Sequence, residues 1–105
     1  MKFLRIENEL GRGPYQDYRI SQALPDRGRR QPSPFYEAAL KKWRDMETTV
    51  RWQFSFGFLD EAQLRAWFDP EDLELLQECG YTIHEVEGEL LCASKKQAIF
   101  KRHST

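Results

Sequence analysis

Two histidines, His84 and His103, and two cysteines, Cys79 and Cys92, make up the chain's whole stock of imidazole and thiol. No pair of them stands at metal-ligand spacing, so no metal site is expected. Cys79 falls on an apolar helix position and Cys92 on an apolar strand position, which makes both core thiols rather than nucleophiles. Gly11-x-Gly13 lacks the third glycine and the following helix of a dinucleotide fingerprint. Carboxylates are abundant between Asp60 and Glu78, but on capped helix surfaces they do not form a buried acid–base pair. What remains is a set of polar residues at strand positions: Arg5, Ser55 and Gln97. They are either ordinary half-exposed strand residues or the lining of one cleft.

The elements that must position them follow from periodicity. Lys2 to Glu7 alternates as a short strand, with Leu4 and Ile6 on one face and Phe3, Arg5 and Glu7 on the other. Gly11-Arg12-Gly13-Pro14 ends it in a turn. Residues 15–34 hold no period, three prolines and four of the ten arginines, so they read as a long surface loop. Ser33 and Pro34 open a helix whose stripe is Phe35, Ala39, Trp43 and Met46. Val50, Trp52, Phe54, Phe56 and Phe58 then alternate with polar residues and glycine, which predicts a nine-residue strand with its apolar face buried.

Asp60 caps a helix carrying Leu64, Trp67 and Phe68, and Leu59 stands in a staple position against Leu64. Asp69-Pro70 opens another with Leu73, Leu76 and Cys79, which Gly80 ends in a left-handed turn. Tyr81 to Glu87 reads as a strand, Glu87-Gly88 as a tight hairpin turn and Glu89 to Ala93 as the return. Gln97 to Lys101 closes the order, and residues 102–105 read as a frayed tail. The whole predicts one α+β domain over residues 1–105, a mainly antiparallel sheet with about three helices packed on it.

The chain has 105 residues, 40% hydrophobic and 31% charged, with 14 aromatic rings (3 Trp, 4 Tyr and 7 Phe), so it can form a core. A net charge of -1 excludes a globally basic nucleic-acid or membrane-surface protein. No apolar run approaches the length of a membrane span, and two cysteines are too few for a disulfide scaffold. A cytoplasmic location is the expectation. The balance hides a segregation: residues 1–59 carry 11 Lys/Arg against 7 Asp/Glu, and residues 60–105 carry 5 against 10. The basic focus is Arg19, Arg27, Arg29 and Arg30; the acidic one is Asp69, Glu71, Asp72, Glu74 and Glu78. Each is either a solvated face or a surface for a partner of opposite sign.

A resemblance is carried by Leu4-Arg5-Ile6-Glu7, Gly11-x-Gly13-Pro14-Tyr15, Phe56-Gly57-Phe58, Gly80-Tyr81 and Gln97-Ala98-Ile99-Phe100. In these segments the chain resembles a group of small phage and prophage proteins. Its layout is also remotely similar to ADP-ribosyltransferase folds. That second likeness implies that Arg5 contacts the phosphates or ribose of NAD, that Ser55 lies beneath the nicotinamide and that Gln97 takes the catalytic glutamate's place. Glutamine carries no charge to stabilise an oxocarbenium-like state.

Two functional readings follow. The first is a non-enzymatic phage protein, without cofactor, that binds and inhibits a host protein or a defence complex such as a CRISPR effector. It would use the arginine-rich loop or an acidic, nucleic-acid-mimicking surface, with no direct nucleic-acid or membrane partner. The second is an ADP-ribosyltransferase-like NAD-binding domain, active or degenerate, built on Arg5, Ser55 and Gln97.

Overall fold

The computed structural model describes residues 1–24 and 33–103. Four strands carry the fold: β1 (Lys2–Glu7), β2 (Ser55–Gly57), β3 (Thr82–Ala93) and β4 (Ala98–Arg102). All pairings are antiparallel in the order β1-β3-β4-β2. The sheet curls until its two outer strands meet. Leu4 and Phe58 bridge there, with N–H to O distances of 2.9 Å and 2.7 Å. Gly57 permits this closure, since a Cβ on it would stand 2.6 Å from the Leu4 carbonyl oxygen.

Alternation sends Phe3, Arg5 and Glu7 of β1 to the inside of the curl, together with Ala98, Phe100 and Arg102 of β4. Phe3, Val86, Ala98 and Phe100 form its apolar interior. Ile6 faces the other way, into a cluster with Leu64, Trp67, Phe68 and Leu76. Ile99 packs outward on Leu40 and Trp43. The α+β reading of the sequence stands.

Five short helices surround the sheet among the described residues: α1 (Tyr18–Ala23), α2 (Lys41–Arg44), α3 (Thr48–Arg51), α4 (Glu61–Trp67) and α5 (Pro70–Glu78). The caps read from the sequence form as expected. Asp60 accepts from the Gln63 N–H at 2.9 Å, and Gly80 takes φ +87 after α5. None of the helices is long and apolar enough to cross a membrane.

Six local readings are corrected. Residues 50–58 do not form one strand: Thr48–Arg51 is a helical turn, only Ser55–Gly57 joins the sheet, and Trp52 is 77% exposed. Arg51 decides this. Its guanidinium bonds the Arg44 carbonyl and Thr48 Oγ1 and lies over the Phe35 and Trp43 rings, which holds the turn against the alternating pattern.

The stripe from Phe35 to Met46 does not make one helix either. It breaks into 3-10 turns Pro34–Tyr36 and Ala38–Leu40 before α2, with Glu37 extended between them. A hydrogen bond of 2.6 Å from Gln97 Nε2 to Glu37 Oε1 ties that break to the sheet.

Glu87-Gly88 is not a hairpin turn but the middle of β3, where the strand changes partner from β1 to β4. Gly88 is needed for space: a Cβ there would lie 2.6 Å from Phe100 Cδ2 and 2.7 Å from the Lys101 oxygen.

Finally, the segment read as loop contains Pro14–Gln16 and α1, capped by Asp17 and anchored by buried Ile20 and Leu24. Nor is residue 102 a frayed end, because Arg102 closes β4 and pairs with Glu7. Cys79, read as a core thiol, is exposed at the C-terminus of α5.

Candidate functional site: an arginine-lined groove

A groove of about 860 Å³ opens beside the curled sheet. Arg5, Ser55 and Gln97 all line it, although they come from β1, β2 and the start of the β4 segment. Sequence alone left open whether they share a cleft; they do. The groove's other polar lining includes Arg12, Arg51 and Arg102, and no carboxylate lines it among the described residues.

Its floor is a charge cluster set by strand alternation. Glu7 is buried on the inner face of β1, two residues from Arg5. Arg102 reaches it from β4 with Nη1 to Oε2 at 2.7 Å and Nη2 to Oε1 at 3.3 Å. Arg5 donates from Nε to Glu7 Oε2 at 3.1 Å and from Nη1 to the Phe56 carbonyl at 2.7 Å. One carboxylate between two guanidiniums leaves the cluster at +1. Burial acts to raise the pKa of Glu7, but the hydrogen bond and charge of Arg102, joined by Arg5, outweigh it and hold the carboxyl below its ordinary range. Burial lowers the pKa of Arg5, opposed by the neighbouring Glu7.

The turn over this floor is built by Asn8. Its Oδ1 accepts from the N–H groups of Leu10 and Arg12, both at 3.0 Å. Gly11 and Gly13 then approach Arg102 and Arg5: a Cβ on Gly13 would sit 3.1 Å from Arg5 Nη2, and one on Gly11 3.9 Å from Arg102 Nη1. At the rim Tyr15 accepts from Trp67 Nε1 at 3.0 Å and stacks on Phe68, while its own ring stays half exposed.

Among the described residues the lining is cationic and apolar and holds no pair of titratable acid and base side chains. Gln97 is buried with its amide on Glu37, so it is held rather than presented. Among the described residues no His, Cys, Asp and Glu cluster is arranged to hold a metal ion.

Over residues 1–105 the chain matches the sequence model of a family described as the Bacteriophage T4 Y00F protein. The chain belongs to the bacteriophage T4 Y00F family. No curated protein and no solved structure matches it. The resemblance to phage proteins is thereby confirmed at family level, whereas no comparison shows a likeness to ADP-ribosyltransferases.

Of the other sequence candidates of this Y00F-family chain, Arg19, Asp69, Glu71, Asp72, Glu74 and Glu78 do not line the groove. Arg19 is exposed on α1; Arg27, Arg29 and Arg30 lie outside the described residues. Glu71, Glu74 and Glu78 are exposed on α5. Asp72 is buried and accepts from the Asp69 N–H at 3.0 Å, a capping box that turns both side chains to the helix end. Sequence reading missed Glu7, Arg12, Arg51 and Arg102. The Glu7–Arg5 pair carried a signal, two opposite charges on one strand face, but nothing local brings Arg102 to them.

Proposed function

We propose that this Y00F-family chain is a phage-encoded, non-enzymatic binding protein that engages and inhibits a host protein or defence complex, of which a CRISPR effector is one kind, in the host cytoplasm. The observation that carries the reading is the groove itself. Four arginines line it with no carboxylate among the described residues, and Tyr15 and Trp52 stand exposed at its edge. Arginine, tryptophan and tyrosine are the residue types that dominate binding hot spots. Exposed Glu71, Glu74 and Glu78 on α5 offer a second, acidic surface of the kind that mimics nucleic acid.

Affinity-tagged protein recovered from infected host cells tests this. A host protein should co-purify with the wild type and be lost with Arg12→Glu plus Trp52→Ala. It should persist with Glu71→Lys plus Glu74→Lys if the groove is the contact. The reverse pattern would move the contact to α5, and binding there should weaken steeply with salt. Loss of no partner in any variant rejects the reading.

A second reading, an NAD-binding domain of transferase type, is favoured by one observation: Arg5, Ser55 and Gln97 line the same groove. Incubation with labelled NAD and host lysate separates the two, since only the second predicts labelled protein.

A further inference from the structure

We infer that the groove takes a short acidic peptide segment of the partner, and that the Arg5–Glu7–Arg102 cluster at its floor anchors one carboxylate of that segment. The inference rests on the binding reading above and names what is recognised.

Three observations carry it. The first is charge. Among the described residues the lining holds Arg5, Arg12, Arg51 and Arg102 and no acid, and the one buried carboxylate beneath it, Glu7, offsets only part of that charge. The chain as a whole is at -1, so this concentration runs against its composition. An anion entering the groove meets cations that the described residues neutralise only in part.

The second is an unused donor. Arg5 has its side chain only 11% exposed, and it spends Nε on Glu7 and Nη1 on the Phe56 carbonyl. Nη2 has no acceptor among the described residues. Gly13 lies against it with φ -79 and ψ 161, an extended backbone that any residue adopts. Glycine there is therefore a matter of space: a Cβ would crowd Nη2 at 3.1 Å. A carboxylate reaching this point satisfies a buried donor that otherwise goes unmade.

The third is the distribution of charge and apolar surface. Arg5 and Arg102 meet at Glu7, while Arg51 and Arg12 come from α3 and the turn, so four separate elements supply the lining cations. Trp52, Tyr15 and Phe54 line the groove as apolar wall. A segment carrying both acidic and apolar side chains fits that lining. A long nucleic acid does not, because exposed Glu61, Glu71, Glu74, Glu78 and Glu85 repel it.

Fluorescence anisotropy with the full chain tests the inference, using a fluorescein-labelled Glu-Glu-Trp-Glu-Glu peptide and its Lys-Lys-Trp-Lys-Lys analogue. The acidic peptide should bind, the lysine peptide should not, and binding should fall as salt rises. Arg12→Ala, an exposed change, should weaken it about five- to tenfold. Glu7→Gln removes a negative charge from the floor and should tighten it about two- to tenfold at a temperature where the variant is folded, from Coulomb's law at intermediate dielectric. A purely structural role for Glu7 predicts no tightening. Equal binding of both peptides, indifference to Arg12 and Glu7, or saturating binding of ATP in place of the peptide would overturn the inference. Peptide-independent dimerisation through the groove would overturn it as well. If the peptide fails while the host protein is still lost with the groove variants, this inference falls and the broader reading stands; if both fail, both fall.

Discussion

The ring of Phe3 lies flat on that of Phe100, with centroids 4.1 Å apart and planes 3° from parallel. The two come from opposite ends of the chain and together fill the inside of the curled sheet, both essentially inaccessible to water. This stack, not the aromatic run around Trp52, is where the fold is held. Phe100→Ala should cost about 3–5 kcal/mol, because it removes a large side chain from a site the curl cannot collapse to fill. Trp52→Ala, on an exposed ring, should stay within about 0.5 kcal/mol. Urea unfolding of both variants checks the contrast, and equal losses would place Trp52 in the core.

Gly88 faces the same Phe100. Gly88→Ala should destabilise by about 1–3 kcal/mol, as expected when a methyl is forced into a filled site. Gly88→Asn distinguishes the alternatives more sharply. A hairpin turn accepts asparagine readily, whereas a crowded strand position rejects it more strongly than alanine. Thermal melts of the two variants decide.

Glu7 couples the cluster to pH. Its folded pKa lies below its unfolded value, because the pull of Arg102 and Arg5 outweighs burial. The folded state therefore binds fewer protons, so this stability is present above the ordinary carboxylate range and disappears as pH falls through the depressed folded value. Melting temperature should drop on acidification in the wild type. In Glu7→Gln that component of the drop should vanish, the variant being less stable at neutral pH. A parallel acid profile in both proteins would refute the linkage.

Gln97 and Glu37 share a bond of 2.6 Å. Replacing the amide by a carboxylate, Gln97→Glu, sets two acids against each other at a buried position. The variant should be less stable at neutral pH and regain stability as pH falls, since one shared proton relieves the repulsion. It should show no transfer of label from NAD. Labelling by the variant would instead mean that the groove needs only its missing glutamate.

Thiol reactivity separates the two cysteines. Cys79 is exposed and should react with Ellman's reagent in the native protein. Burial raises the thiol pKa of Cys92, partly offset by a Trp43 backbone hydrogen bond and by Lys42, so its thiolate is scarce and its modification slow. Two equally fast thiols would contradict the packing around Leu40, Trp43 and Ile99.

What the amino-acid order determined by itself is the local chemistry. Lys2–Glu7, Glu61–Trp67 and Pro70–Glu78 form where alternation and caps place them, because neighbours within a few residues suffice for a strand face, an Asp60 cap or the left-handed Gly80. Arg5, Ser55 and Gln97 were legible as polar residues on strands for the same reason. Tertiary structure decided the rest. The alternating run at 50–58 yielded to the stacking of Arg51 on Trp43 and Phe35, and the stripe at 35–46 yielded to the bond between Glu37 and Gln97. Gly88 looked like a turn because only the packing of Phe100, twelve residues on, reveals that it is a space. The groove was hidden for the same cause: its floor joins Glu7 to Arg102 across nearly the whole chain, a contact that exists only because the sheet curls until Leu4 meets Phe58.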